Sequence, residues 1–478
     1  MLYDRRVTDL DAALHHAAGL IGEYRRGAAT ARVGATATRE AVAAALDPAL
    51  PDDPQPLGAV IDDLVAGAAP GLVCTPGPRF FGFVVGGSVD AALVADLLAS
   101  GWDQNAFNAA LSPAAMAFED VAGAWLKDLL GIPASASVGF VTGAGAANTV
   151  GLAAGRSRVL AARGWDAGRD GLAGAPRVRI LASVERHATV DRALRLLGIG
   201  DGAIEELPAL ANGEMDAAAV AAALASDPGA PAIVCAQAGN VNTGACDDLR
   251  AIAAATREHG AWLHVDGAFG LFAALSPRSA HLVRGIDRAH SIAADAHKWL
   301  NVPYESGFAL IREPGRLGSA FGMPGAAYLP GPQDPGGGYG LYGPESSRRA
   351  RSLPIWATLA AYGRQGYRAM VERHLDLAQH LARRVDEAPE LERLADVPLC
   401  IVCFRVARPG LPDAELDRWN RAVGDALIAD GRVFCGTTVY GGRVALRPAI
   451  VNWRTTPADI DLFVDVVREL ADRTRAER

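Results

Sequence analysis

With 478 residues, half of them hydrophobic and about a fifth charged, the chain is long enough for a large core and more than one domain. Its net charge of −8 excludes a nucleic-acid-binding or anionic-membrane surface, and no apolar run approaches the roughly 20 residues of a membrane span. Six scattered cysteines make no disulfide framework, and the opening MLYDRRVTDLDAALHH is acidic where a secretory leader needs an apolar core, so a cytoplasmic protein is expected.

Taken in order, the chain opens with an amphipathic helix starting at Thr8, its apolar side carried by Leu10, Leu14, Ala17 and Ile21, with Gly27 beyond its end. Two more helices are predicted around TREAVAAAL and LGAVIDDLVAGAA. This 1–75 segment is too thin for a core of its own and is expected to pack on the main body or on a partner subunit. The aromatic and glycine-rich PGPRFFGFVVGG comes next, then helical patterns from Asp90 to Leu130. They are broken by WDQNAFNAALSP, a loop with polar Gln104 and Asn105 and one large apolar anchor, Phe107.

From Ser137 the pattern changes. Strand-like runs SVGFVTG, RVRILAS, PAIVCAQ, AWLHVDG, SIAADAH and GFALIRE alternate with Ala/Leu-rich helical stretches. Strands that are apolar throughout and separated by helices predict a mostly parallel sheet covered on both faces, with ligands at the strands' carboxyl ends. The stretch MPGAAYLPGPQDPGGGYGLYGPESS is too rich in Gly and Pro for helix or central strand and too long for a connector, which leaves a flap over a site or a surface insertion. A second α/β pattern fills 371–478. Cys400 and Cys403 form a CxxC inside PLCIVCFRV; with no second Cys/His pair nearby, this reads as a buried strand, and no metal site is expected.

One residue stands out by rarity. Of 46 basic residues only Lys127 and Lys298 are lysines. Arginine cannot give up its proton at neutral pH and cannot serve as an amine nucleophile, whereas lysine can. Lys127 falls on the polar side of a helical pattern. Lys298, in SIAADAHKWLN beside His297 and Trp299, is a candidate for Schiff-base chemistry.

A lysine imine of pyridoxal phosphate needs three further things. Its phosphate needs backbone N–H donors at a helix start, which the run Thr142, Gly143, Ala144, Gly145 offers. By itself GAGAAN is also close to a dinucleotide fingerprint, with Asn148 in place of the last Gly. That rival expects an acidic residue about 20 positions on, and the nearest fit, Glu185, lies about twice as far. The pyridine nitrogen needs a carboxylate, and Asp266 at the end of LHVD is placed for it, with Ala268 small enough to lie against the ring. An aromatic ring to stack on the other face is available in His187, between a strand and a helix.

Together FVTGAGAAN, ERHATVDRA, HVDGAFG and DAHKWLN, in this order, resemble the group II pyridoxal-phosphate-dependent amino acid decarboxylases: the aromatic-L-amino-acid, glutamate and histidine decarboxylases. The likeness runs from FFGF near residue 80 to LRPAIVNWRTT near 455. It implies an α/β protein of fold type I (aspartate aminotransferase superfamily), with a large cofactor-binding domain over 76–370 and a small α/β domain over 371–478. It implies a homodimer whose active site lies at the subunit interface and whose N-terminal helices and loop cross to the partner. By the same resemblance Lys298 forms the Schiff base, Asp266 pairs with the pyridinium nitrogen, Ala268 lies under the ring and His187 above it. Ala144, Gly145, Thr142, His297 and Asn240 fall at cofactor-binding positions. Tyr339, with Tyr342 as competitor, falls where the family keeps a loop tyrosine that protonates Cα after carbon dioxide leaves.

Three departures touch phosphate binding. Gly145-Ala146 replaces Ser/Thr-Glu, Asn240 stands where many relatives have Thr, and Asp295 stands where several have Asn, a position at which an unpaired carboxylate would be unfavourable. The expected reaction is decarboxylation of an L-amino acid to its amine, with an aldehyde synthase or an aminotransferase as alternatives on the same fold. Phe107 matches a position lining an aromatic pocket, and Phe83 and Asn105 are further substrate-side candidates. Aromatic substrates are favoured, although Gln104 and Asn105 suit a polar or acidic side chain. Arg447 is read as structural and not as a carboxylate clamp.

Overall fold

The structure, a computed structural model, describes residues 9–46, 49–313, 320–322 and 339–476. Three N-terminal helices, α1 (Leu10–Gly27), α2 (Arg39–Ala45) and α3 (Leu57–Ala68), lead into α4 (Asp90–Trp102) and α5 (Pro113–Leu130). Asp9 caps α1 by accepting from the Ala12 N–H, so the helix starts from this Asx cap; Thr8 lies outside the described residues. Arg25 ties α1 to the body by donating to the carbonyls of Gly87 and Ser88. Leu10 and Leu14, two of the apolar residues that define the helix pattern, are 61% and 59% exposed in the single chain.

The body is a seven-stranded sheet of β1 (Ser137–Val141), β2 (Arg179–Ser183), β3 (Ile204–Leu207), β4 (Ala232–Gln237), β5 (Trp262–Asp266), β6 (Ser291–Asp295) and β7 (Gly307–Ile311). Their spatial order is β1-β7-β6-β5-β4-β2-β3, and only β7 runs antiparallel to its neighbours. Strands β4 to β7 are buried at every position, as strands covered on both faces must be. The edge strand β3, IEEL, has no apolar run for a sequence reading to find. It is held by its parallel pairing to β2 and by Arg179, which makes a two-pronged ion pair with Glu205.

Between the strands run α6 (Ala144–Ala161), the single-turn α7 (Ala167–Asp170), α8 (Ala188–Leu196), α9 (Ala217–Ala225) and α10 (Leu249–Glu258). Helix α6 lies across β5, β6 and β7 and presses unusually close to the sheet. A Cβ added to Gly151 or Gly155 would meet the His264 or Trp262 ring at 2.7 Å, so these two positions, one turn apart, must be glycine.

Helix α11 (Ser352–Asp386), kinked at Gly363, carries the chain to the four-stranded sheet β10-β11-β9-β8. These strands are β8 (Leu391–Arg393), β9 (Phe404–Val406), β10 (Thr437–Tyr440) and β11 (Arg443–Leu446), packed by α12 (Asp413–Asp430) and α13 (Pro457–Ala476). A hydrophobic cluster drawn almost wholly from 377–471 fills this unit, with Phe81 inserted from upstream. Cys400 and Cys403 are buried, but the strand proper begins only at Phe404. Among the described residues no cluster of His, Cys, Asp or Glu has metal-binding geometry, and no helix is long and apolar enough to cross a membrane.

Candidate active site

All six parallel strands end on one edge of the large sheet, and the loops there gather the candidate residues. Lys298 stands in the turn after β6. That turn is fixed from below by Trp299, buried and donating to His374 Nδ1. It is closed by Asn301, which adopts a left-handed conformation (φ 57°) and donates to the carbonyls of Trp299 and Val451. Asn is one of the few residues that enters this region cheaply.

Asp295, the last residue of β6, sits 2.9 Å from Lys298 Nζ and 3.2 Å from His297 Nε2 and accepts from the Ala144 N–H at 2.5 Å. The departure noted in the sequence is thus resolved: this buried carboxylate is not unpaired. Burial pushes the His297 imidazole below its ordinary pKa despite the nearby Asp295. Its ring stacks on Tyr304 at 4.4 Å, and its Nδ1 accepts from the Ser306 N–H.

Thr142 and Gly143 turn the chain from β1 into α6, whose first intrahelical bond runs from the Ala147 N–H to the Gly143 carbonyl. The N–H groups of Gly145 and Ala146 precede that bond and belong to the set a helix start offers to an anion. A side chain at Gly143 would meet Asp295 Oδ1 at 2.9 Å and His297 Cε1 at 3.0 Å, so only backbone approaches here.

Asp266 ends β5. Its Oδ1 accepts from the Ala268 N–H and its Oδ2 from Asn148 Nδ2, each at 3.1 Å. His187 is the N-cap of α8, its Nδ1 accepting from the Thr189 N–H. Burial lowers the His187 pKa, Asp266 raising it and Lys298 lowering it further. The imidazole is therefore neutral at physiological pH, with its proton on Nε2.

Lys298, His187 and Phe83 share a cavity of about 610 Å³ with Phe80, Phe434, Val84, Val85 and Arg447. Phe80 stacks on Phe434 at 4.7 Å. Phe83, left-handed (φ 54°) at the rim, is held by Arg447, which donates to its carbonyl and to that of Val241. Val73, Thr75, Val241 and Tyr304 complete the wall and, with Phe434, went unread in the sequence, because nothing local marks a residue that reaches a site from another segment.

Other candidates lie apart from this cavity. Asn240 spends its amide on the turn that follows β4, its oxygen accepting from the Asn242 and Thr243 N–H groups. Asn105 accepts from the N–H groups of Phe107 and Arg348, joining its loop to the segment before α11. Phe107 is buried against Gly340, and Tyr339 donates to Asp120 at 2.5 Å and packs edge-on to Tyr342. Most of the Gly/Pro-rich stretch, 323–338, lies outside the described residues.

Lys298 and neutral His187 line the cavity; Asp295 joins the lysine to the α6 start, and Asn148 with Thr189 joins the Asp266 carboxylate to His187, a donor set that fits pyridoxal phosphate. Comparison with known proteins agrees. The profile of the pyridoxal-dependent decarboxylase conserved domain matches residues 40–407. Aromatic-L-amino-acid decarboxylase of Bacillus atrophaeus is 30% identical over 404 residues, covering 83% of this chain and 81% of its own. Phenylacetaldehyde synthase of Petunia hybrida is 26% identical over 441 residues, covering 88% and 86%. In structure the chain is similar to Oryza sativa TDC with PLP and tryptamine, with a TM-score of 0.90 at 24% identity over 97% of this chain and 98% of that one. The fold and site thus define a fold type I pyridoxal-phosphate enzyme. The chain belongs to the pyridoxal-dependent decarboxylase family, whose members are amino acid decarboxylases with pyridoxal 5'-phosphate as cofactor.

Proposed function

We propose that the chain releases carbon dioxide from an aromatic L-amino acid and yields the amine. The carrying observation is the cavity itself: Lys298 and neutral His187 open onto a wall of Phe80, Phe83, Phe434 and valines. Arg447, the one guanidinium lining it among the described residues, donates to two backbone carbonyls, a structural use and not that of a carboxylate clamp.

In this reading Lys298 Nζ is the amine that would hold the cofactor's aldehyde, and Asp266 the carboxylate that would hold the proton on its ring nitrogen. Ala268 and His187 would lie against the two ring faces, and Thr142, Ala144, Gly145 and His297 would surround the phosphate end. The turn that Asn240 organises would close that end from the β4 side. When bound, pyridoxal phosphate supplies the electron sink for the bond to the departing carboxylate. The apolar wall excludes water and leaves the substrate carboxylate weakly held, which favours its loss. Tyr339 Oη would deliver the proton to substrate Cα. Burial and Asp120 push this phenol well above its ordinary range, so it keeps the proton until it is used. Because Tyr339, Phe107 and Asn105 lie away from the cavity of their own chain, we assign them to the cavity of a second copy in a homodimer. The exposed Leu10 and Leu14 supply apolar surface for that pairing.

The test is incubation of the purified protein with individual amino acids while carbon dioxide, amine, aldehyde and ammonia are assayed. Equal amounts of carbon dioxide and amine from an aromatic substrate are expected. Aldehyde with ammonia would place the chain with the aldehyde synthases, and turnover confined to acidic substrates would overturn the aromatic reading.

A further inference from the structure

Behind Asp266 runs a continuous line of buried polar side chains that the proposed chemistry does not use. Trp262 Nε1 reaches Ser291 Oγ at 2.8 Å, Ser291 Oγ reaches His264 Nδ1 at 2.8 Å, His264 Nε2 reaches Asn148 Oδ1 at 2.9 Å, and Asn148 Nδ2 reaches Asp266 Oδ2 at 3.1 Å. His264, Asn148 and Ser291 are wholly buried, and three separate elements, α6, β5 and β6, contribute to the line.

Its protons can be placed from the two ends. Indole nitrogen only donates, so Ser291 Oγ accepts from Trp262 and has its own hydrogen to give. An ionised carboxylate only accepts, so Asn148 turns its amide nitrogen to Asp266 and its oxygen to His264. His264 Nε2 must then carry a hydrogen, and Nδ1 is left to accept from Ser291. A neutral imidazole satisfies both demands, and its complete burial also favours the neutral form. Every donor in the line has one acceptor and every hydrogen runs towards Asp266. The second amide hydrogen of Asn148 points to Thr189 Oγ1 at 3.2 Å, and that hydroxyl lies 2.8 Å from His187 Nδ1. With the oxygen accepting from Asn148, its own hydrogen goes to His187. One amide thus reaches both residues assigned to the cofactor ring.

We propose that Asn148 is a positioning residue that fixes Asp266 as an acceptor and His187 in its Nε2–H form, with the His264–Ser291–Trp262 line locking the amide so that it cannot flip. This rests on the reading of Asp266 as the partner of the ring nitrogen. Gly151 and Gly155 belong to the same device, because they let α6 come close enough to β5 for Asn148 to reach His264.

The test uses the holoenzyme labelled with 15N-histidine, with His264 and His187 assigned through His264→Gln and His187→Gln. Both rings are expected as neutral Nε2–H tautomers. An Nδ1–H tautomer or an imidazolium at His264 near neutral pH would overturn the proposal. In parallel, Asn148→Leu keeps the volume and removes both donors. Cofactor affinity is expected to fall at least about tenfold and kcat about 10- to 100-fold, with KM changed less than about threefold. A folded Asn148→Leu protein with affinity and kcat within about twofold of wild type would sink it. Should that variant fail to fold, the tautomers of the wild-type protein decide alone. Asp266→Asn separates the two readings: unchanged cofactor affinity there would remove the role of Asp266 itself, whatever Asn148 does.

Discussion

Lys298, on the turn after β6, lies 2.9 Å from Asp295 at the end of that strand, a contact for which the charge of arginine would have served equally well. Lys298→Arg keeps the charge and loses the nucleophile. Like Lys298→Ala, it is expected to lower carbon dioxide release by more than about a thousandfold, with borohydride no longer fixing cofactor to the protein. Equal activity in Lys298→Arg would show that the lysine contributes charge only. Arg447→Met makes the complementary case. It frees the Phe83 carbonyl, so the rim loosens and KM is expected to rise about tenfold while kcat falls less; a loss confined to kcat would mean that Arg447 acts on the reacting groups. Tyr339→Phe removes the proposed proton donor, and in air-saturated buffer amine is expected to give way to aldehyde and ammonia at a retained rate of carbon dioxide release, dissolved oxygen taking up the two electrons as hydrogen peroxide. Amine as the sole product of that variant would pass the role to Tyr342 or another group.

Six of the seven large-sheet strands, five parallel and the antiparallel β7, and the residues at the carboxyl ends of the parallel ones, could be read from the chain because hydrophobic runs and strand-end polar residues are local signals. Asp266 and His187 were read that way, and Lys298 from the rarity of lysine in the chain. Much of the cavity wall beyond Phe83 and Arg447 was not, since Phe434 and Val73 come from segments far away in the chain and carry no motif. Asn148 was visible only as a mismatch to a dinucleotide fingerprint, and its partner His264 looked like one more residue of a buried strand; their pairing depends on how closely α6 approaches β5. That spacing makes a prediction about the helix as a whole. Gly151→Ala would place a methyl carbon 2.7 Å from the His264 ring, and helix or ring must move. Overpacking of this kind costs about 1–3 kcal/mol of stability. Cofactor affinity is expected to fall along with the melting temperature, whereas Gly131→Ala, on the exposed end of α5, is expected to leave affinity unchanged. A Gly151→Ala protein with wild-type affinity would show that the separation of helix and sheet does not govern the site.

Across the molecule the buried ionisable groups set how stability responds to acid. Burial pushes His264 and His290 down to about 4 and His374 to about 3, against about 6.5 in the unfolded chain. Each has a hydrogen-bonding reason to stay neutral: His374 Nδ1 accepts from Trp299 and His290 Nδ1 from the Leu263 N–H, so protonation would displace a donor. The unfolded chain therefore takes up three protons that the folded chain refuses, and the stability tied to these groups is complete above about pH 6.5 and lost as pH falls towards 4. Glu119 and Asp247 oppose this, because burial raises them to about 7 and about 6, and between about pH 4.5 and 6 the folded chain holds two protons that the unfolded chain has released. Three against two leaves a net uptake of one proton on unfolding, so these five groups make stability rise with pH by about 1.4 kcal/mol per unit in that window. Above pH 6.5 the remaining protons on the unfolded histidines and on folded Glu119 come close to cancelling, and the slope fades. Urea melts of the wild type are thus expected to show stability rising from about pH 4.5 to 6 and levelling off near pH 7. His374→Gln removes one of the three protons and leaves two against two. Its stability between about pH 4.5 and 6 is expected to rise with pH less steeply than that of the wild type, by about 1.4 kcal/mol per unit, even though the variant is less stable at pH 7. Parallel slopes for the two proteins would mean that His374 is protonated in the folded state, and that the Trp299 bond beneath the lysine turn is not what the structure shows.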